Sequence, residues 1–271
     1  PMIAQFPASD QRNKKIRRHL VEWLLQLWFR FDLEDAAVQV RAWFKSAADN
    51  PEEVCHSIQW LRNAFTIGLR PGDKPNLERQ RTLAVALLGQ AVSQADVVLD
   101  HYKTLTEPGE AEITRARQAM HIIDTACQQL YFSSGAFRQG SAPLSLLTPG
   151  SGAIFLHDAA PILRQIGQHG GPHTVYNLIQ LLENLLKADP AGVFDLIAAA
   201  VLQGGLQTGY QFEQLASDLM VKLVGNFLAD HKEIFNNPQR RTALVDMLEV
   251  FMTAGWPSIR RLFYQLPELL Q

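Results

Sequence analysis

The sequence is poor in cysteine, in net charge and in long apolar runs, and each shortage excludes a class of protein. The chain has 271 residues, only two cysteines and a formal net charge of -2. Cys55 and Cys127 cannot form a disulfide framework, so we expect a reducing compartment and a cytoplasmic location. The most apolar stretch, residues 193–202, contains Asp195 and is too short to cross a bilayer, so we expect no membrane partner. The near-neutral charge provides no global attraction to nucleic acid.

The motifs of common catalytic and cofactor sites are also missing. The sequence has no GxxxxGK[ST] phosphate loop, no GxSxG nucleophile turn and no HExxH metal pair. His169 and His173 flank a Gly-Gly-Pro that interrupts a helix, so we interpret them as a helix end and a helix start rather than as metal ligands. We therefore predict no catalytic residue, no metal and no cofactor. An enzyme that uses residues 133–153 and 157–173 is the least favoured of three hypotheses.

Apolar residues spaced by three and four dominate the chain and predict helices. No sustained period-two run of β-branched residues is present, so we expect essentially no sheet. More than half of the residues should be helical, and the fold class should be all-α. The predicted helices cover, in order, about residues 10–31, 33–44, 51–67, 76–104, 108–130, 154–167, 174–187, 190–203, 210–228, 238–253 and 257–270.

An internal repeat is the most specific pattern. Residues 184–189 (NLLKAD) resemble residues 226–230 (NFLAD), and each segment ends a predicted helix. Each is followed by an aliphatic–Phe pair, Val193-Phe194 or Ile234-Phe235, on what we expect to be the next helix. The offset of 41 to 42 residues lies in the range of HEAT and armadillo repeats. Over residues 174–271 the chain therefore resembles the HEAT/armadillo class of α-solenoids.

This resemblance implies antiparallel helical hairpins that stack as a HEAT-like array, in one body or in two lobes. It also implies a non-catalytic helical-repeat scaffold or adaptor subunit that binds another protein within a larger assembly. The sequence does not identify that protein. The repeat predicts one continuous core formed by Leu182, Leu185, Phe194, Leu223, Phe227 and Phe235.

Residues 133–153 contain the densest cluster of Ser, Gly and Pro and interrupt the helical pattern. Such a long connection is either a functional loop or a boundary. We favour a boundary between an N-terminal helical lobe, residues 1–132, and a C-terminal HEAT-like lobe, residues 154–271. Leu144, Leu146 and Leu147 argue for a docked loop instead, because a linker has little use for them.

Clustered basic residues suggest a second function, that of a nucleic-acid-associated subunit. Cations at the N-terminal end of the first predicted helix are disfavoured by the helix dipole, so an acidic partner would compensate them. Arginine doublets near later helix starts could extend the same stripe. A solvated surface is the simpler interpretation. The candidate contact residues are Arg12, Lys14, Lys15, Arg17, Arg18, Arg240, Arg241, Arg260 and Arg261.

Overall fold

A computed structural model describes residues 31–46, 74–134, 138–139, 142–143, 149–208 and 215–269, together with isolated positions between 13 and 58. These residues form nine α-helices, and more than half of the chain lies in them, as predicted. The helices are α1 (Leu33–Ser46), α2 (Lys74–Thr104), α3 (Glu110–Ser133), α4 (Pro149–His169), α5 (Pro172–Leu185), α6 (Pro190–Thr208), α7 (Leu215–Asp230), α8 (Pro238–Thr253) and α9 (Pro257–Leu269). A 3₁₀ helix, Lys232–Asn236, precedes α8.

The chain divides into two compact units within α2, Pro1–Ala91 and Val92–Gln271. In the first unit, the carboxylate of Asp32 accepts a hydrogen bond from the backbone N–H of Asp35 at 3.1 Å, so Asp32 caps the start of α1. Ala36 is buried on that helix. The second unit contains the end of α2 and all later helices.

Helices of the second unit pack against their neighbours in the chain and also against the next helix but one. In sequence order, α3 contacts α5, α5 contacts α7, and α7 contacts α9. The alternate helices do the same, since α4 contacts α6 and α6 contacts α8. The described helices after α2 therefore form two interleaved sets.

Hydrogen bonds between α3 and α5 establish that these two helices run in the same direction. Near the start of α5, the Thr174 hydroxyl donates to the Asp124 carboxylate. At the end of α5, Asn184 Nδ2 donates to the Ser134 carbonyl at 2.9 Å. Both pairs are 50 residues apart in sequence, so the two helices remain in register along their shared length.

Glycines on α4 allow two other helices to approach closely. A Cβ at Gly167 would lie 2.8 Å from the Cβ of Ala200 on α6, and a Cβ at Gly152 would lie 3.1 Å from that of Ala188. The same two glycines face Leu178 near the start of α5 and Leu185 at its end, respectively. Because the later residue of α4 meets the earlier residue of α5, these two consecutive helices run antiparallel.

The aromatic core joins α6, α7 and the 3₁₀ helix. Phe194 meets Phe227 edge to face with ring centroids 5.4 Å apart. All six residues that the repeat placed in the core are buried, which confirms that part of the prediction. Burial of such rings removes large apolar areas from water and stabilises the fold.

The end of α8 is a Schellman motif centred on Gly255, which has a φ of 84°. The N–H of Trp256 donates to the Phe251 carbonyl at 3.2 Å, and the N–H of Gly255 donates to the Met252 carbonyl at 3.0 Å. The Trp256 ring stacks on Phe251 with centroids 4.6 Å apart. Glycine tolerates the left-handed conformation, and the ring contact supplies the apolar pair typical of this cap.

The interruption in the helical pattern is shorter than predicted. The residues described between α3 and α4 include two strands of two residues, β1 (Arg138–Gln139) and β2 (Ala142–Pro143), which pair antiparallel. This small ladder departs from the expectation of no sheet. Helix α4 begins at Pro149 because proline suits the first turn of a helix. Gly152 is buried in that turn, where glycine serves close packing rather than a loop.

Two further helix predictions need correction. Helix α6 does not end before Gly204 but continues through Gly204 and Gly205 to Thr208, since an established helix tolerates glycine at about 1 kcal/mol per residue. Ile234 and Phe235 do not open an α-helix but lie in the 3₁₀ helix. The α-helix α8 begins only after it, where the Asn237 side chain accepts a hydrogen bond from the Gln239 N–H at 2.8 Å.

The two predicted lobes stay a prediction. The observed division between Ala91 and Val92 lies elsewhere in the chain. Helix α3, before the Ser/Gly/Pro-rich segment, contacts both α4 and α5, which follow it. These contacts favour the alternative in which residues 133–153 are a loop on one body.

Candidate functional site

The most concentrated group of ionisable side chains in the described part of the second unit joins α2 to α4. Asp96 and Asp100 are four residues apart on α2, so their side chains lie on one helix face. His169 is the last residue of α4. Its side chain is 1% exposed, against 20% for Asp96 and 53% for Asp100. The group therefore has a buried imidazole at its base and a carboxylate at the surface.

Short distances link the three side chains. His169 Nε2 lies 2.6 Å from Asp96 Oδ1 and 3.5 Å from Asp100 Oδ1. Two glutamines of α4 fix the carboxylates: Gln165 Nε2 donates to Asp96 Oδ2 at 2.9 Å, and Gln168 Nε2 donates to Asp100 Oδ1 at 3.3 Å. Both carboxylates are thus oriented toward α4 by neutral donors that leave their negative charge uncompensated.

The ends of the helices add to this negative potential. Helix α2 ends at Thr104 and α4 at His169, so the group lies on the last turns of both. Carbonyl groups at a helix C-terminus carry a partial negative charge that favours cations. Lys103 Nζ, 3.7 Å from Asp100, is a nearby cation, and its own side chain is 36% exposed. The site therefore suits positive charge.

The arrangement permits two kinds of chemistry. As it stands, the imidazole and the Asp96 carboxylate form a hydrogen bond that ties α4 to α2. The three ligand atoms also lie within 4.8 Å of one another, close enough to share one metal ion. One imidazole nitrogen and two carboxylate oxygens are suitable ligands for a divalent transition metal.

Sequence reasoning missed this group because its members are far apart in the chain. It compared His169 with His173, but His173 is exposed and its Nδ1 lies 3.3 Å from Asn177 Nδ2. The residues that meet His169 precede it by 73 and 69 positions. The only local signal was the spacing of Asp96 and Asp100, which is common on solvated helices. His157, the third histidine considered, is exposed on α4.

The second buried polar group lies between α3 and α5. Cys127 Sγ donates to the Thr174 carbonyl at 3.3 Å, and both residues are buried. Burial raises the pKa of the Cys127 thiol far above its usual range, and the negative charge of Asp124 raises it further. A thiol held in its neutral form is a poor nucleophile, so this cysteine has a structural role.

The predicted basic contact residues divide into three groups. Arg12, Lys14, Lys15, Arg17 and Arg18 lie outside the described residues. In the second unit, Arg240 makes a bidentate ion pair, in which its Nε and Nη2 donate to the Asp195 carboxylate at 2.8 and 2.9 Å. That hydrogen bonding, with the negative charges of Asp195 and Asp189, raises the arginine pKa against the opposing effect of burial.

The remaining arginines have exposed side chains. Arg241 Nε donates to the Phe235 carbonyl at 3.3 Å, which holds its stem against the 3₁₀ helix. Arg260 and Arg261 are exposed on α9. Arg240 is therefore used within the fold, whereas the other three present charge to solvent.

No protein family model, curated protein or solved structure matches this chain. Among the described helices, none combines the length and apolar character needed to span a membrane.

Proposed function

We propose that this chain is a helical-repeat scaffold or adaptor that binds another protein, and that its second unit is a HEAT-like array. The observation that carries the proposal is the alternation of contacts, in which α3, α5, α7 and α9 pack in succession and α4, α6 and α8 do likewise. In α-solenoids each helical hairpin contacts its neighbours, and the stack presents an extended binding surface.

Helix directions support the same proposal. Helices α4 and α5, joined at Gly170-Gly171, run antiparallel, whereas α3 and α5 run parallel. Stacked antiparallel hairpins require this combination, because equivalent helices of successive hairpins point the same way. The repeat of 41 to 42 residues read from the sequence supplies the expected period.

Large apolar side chains at the surface suggest where a partner binds. Tyr264 on α9 is 75% exposed, and Ile154 on α4 is 58% exposed. Tyrosine is enriched among the residues that dominate binding energy, because its ring buries area at low entropic cost. A cytoplasmic partner is the natural expectation, since Cys127 is a buried thiol in a chain with only two cysteines.

Affinity capture with surface variants tests the scaffold. The full chain is immobilised, incubated with a lysate of its native organism and compared with Tyr264→Ser and Ile154→Ser. Glu249→Ser, at an exposed position of α8, is the matched control. We expect a protein that the wild type and the control retain and that at least one apolar variant loses, with circular dichroism showing that every variant is folded.

Failure to retain any protein above a blank resin, or equal retention by all four forms, would contradict this binding surface. Chromatography on heparin separates the nucleic-acid hypothesis from it. Strong retention at low salt that disappears at high salt would favour a nucleic-acid-associated subunit, because phosphate-mimicking binding depends on counterion release. The ion pair of Arg240 with Asp195 reduces the charge available for that role.

A further inference from the structure

We propose that Asp96, Asp100 and His169 bind one divalent transition-metal ion, Zn²⁺ by preference, between the last turns of α2 and α4. The site uses one carboxylate oxygen from each aspartate and Nε2 of the histidine. It does not depend on the proposed scaffold function, and it lies entirely within the second unit.

The spacing of the ligand atoms fits a small ion. Zinc bonds of about 2.0–2.2 Å in a tetrahedron place neighbouring ligand atoms roughly 3.4 Å apart. The two distances from His169 Nε2, 2.6 Å to Asp96 Oδ1 and 3.5 Å to Asp100 Oδ1, bracket that value. A side-chain movement of less than 1 Å, about the width of a rotamer adjustment, therefore places all three atoms around one ion.

The types of ligand select the metal. Magnesium and calcium prefer oxygen ligands alone, whereas an imidazole nitrogen with carboxylates suits Zn²⁺, Mn²⁺ or Fe²⁺. Two carboxylates would neutralise the charge of a divalent ion. Asp100 is half exposed, so water can reach the fourth position on the solvent side.

Neighbouring side chains already hold the carboxylates in place. Gln165 binds the outer oxygen of Asp96, which leaves the other oxygen directed at His169. Gln168 holds Asp100. Hydrogen bonds of this kind orient metal ligands in proteins and lower the cost of assembling the site. The partial negative charge at the ends of both helices favours the ion further.

Metal binding replaces the His169–Asp96 hydrogen bond with a stronger tie between α2 and α4. The imidazole gives up its Nε2 proton on binding, so it must present the Nδ1–H tautomer. The ion would therefore stabilise the folded second unit by mass action, in proportion to the logarithm of its concentration.

Titration of the full chain with metal alone tests the proposal. The protein is purified, stripped with a chelator, and titrated with Zn²⁺ by calorimetry. Co²⁺ is then used as a spectroscopic substitute, because nitrogen and oxygen ligands in a tetrahedral site give visible absorption. We expect one ion per chain and a rise in melting temperature on Zn²⁺ addition.

Three variants make the result specific. Asp100→Asn removes a ligand charge at a half-exposed position, so it should fold even if His169→Gln does not. Asp246→Asn makes the same change at an exposed residue of α8 and is the matched control. We expect binding to weaken by at least about 10-fold in Asp100→Asn and in folded His169→Gln, and to stay unchanged in the control.

Two results would overturn the site. One is the absence of stoichiometric binding by the wild type, which would leave His169 and Asp96 as a structural hydrogen bond only. The other is equal binding by the wild type and Asp100→Asn, or equal weakening in Asp100→Asn and Asp246→Asn, which would attribute the effect to net charge.

Discussion

The ring of Phe194 meets that of Phe235 edge to face, with centroids 5.1 Å apart and planes at 89°. Phe194 lies in the first turns of α6, and Phe235 lies in the 3₁₀ helix that leads into α8. The two residues occupy matching places in the internal repeat, so the repeat brings its own equivalent side chains into contact. Phe227 of α7 adds a second edge contact to Phe194.

Replacing Phe227 with Ala tests this aromatic core. The side chain is 1% exposed, and its loss should lower the free energy of unfolding by roughly 3–5 kcal/mol, because both the apolar transfer and the cavity contribute. Urea denaturation measures the change. The control is Tyr264→Ala, which should stay within about 0.5 kcal/mol of wild type. A loss below about 1 kcal/mol at Phe227 would mean that the ring is not fully packed in solution.

Thr174→Val tests the polar contact between α3 and α5. Valine keeps the shape of threonine but removes the hydroxyl that donates to Asp124. Hydrogen bonds to charged groups contribute about 1.5–3 kcal/mol, so we expect a loss of that size in the free energy of unfolding.

The matched control for this substitution is Thr242→Val. The Thr242 hydroxyl is exposed and donates to the Pro238 carbonyl at 3.1 Å. Its removal should change stability by no more than about 0.5 kcal/mol. Equal losses at positions 174 and 242 would show that the cost arises from valine in a helix and not from the buried partner.

Cys127 predicts a loss of stability in alkaline solution. In the unfolded chain the thiol releases its proton near its ordinary pKa of about 8.5, whereas the folded chain retains the proton because burial raises that pKa. Above about pH 8.5 the folded state thus binds more protons than the unfolded state, and stability falls as pH rises. At lower pH both states are protonated and the thiol contributes no pH dependence.

The measurement is the free energy of unfolding at pH values between about 7 and 10, for wild type and Cys127→Ser. We expect the wild type to lose up to about 1.4 kcal/mol per pH unit more than the variant above pH 8.5 or so. Serine does not ionise in this range, and it can still donate to the Thr174 carbonyl. Parallel curves for the two proteins would contradict the role assigned to the thiol.

A brief protease digest tests the segment between α3 and α4. Its content of Ser, Gly and Pro predicts cleavage near Gly140. Because α3 contacts α4 and α5, we expect the two fragments to remain together in native gel filtration and to separate only in denaturant. Separation under native conditions would support two independent lobes, and resistance to cleavage would support a docked loop.

Local signals in the sequence were enough to predict most helices. Pro190, Pro238 and Pro257 each open a helix at the predicted residue, because proline suits the first turn and its effect does not depend on distant contacts. The apolar spacing around Phe194 and Phe227 likewise identified core residues, since a side chain on the apolar face of a helix is buried whatever it packs against.

Glycine was the residue whose meaning the sequence left open. Gly152 in a Ser/Gly/Pro-rich stretch suggested a loop, yet it lies in α4 where only a missing Cβ allows Ala188 to approach. Gly255 has the opposite role and ends a helix by adopting a positive φ. The same residue type serves both purposes, so its neighbours in space decide between them.

The amino-acid sequence by itself determined the helical class, the main helix starts and the burial of the apolar faces, because each depends on residues within a few turns of one another. Only the tertiary structure decided which helices are neighbours. It placed Asp96 and Asp100 beside His169, which they precede by 73 and 69 residues, and it engaged Arg240 with Asp195. Spacing along one helix carries no information about such contacts, because they arise only when separate helices pack together.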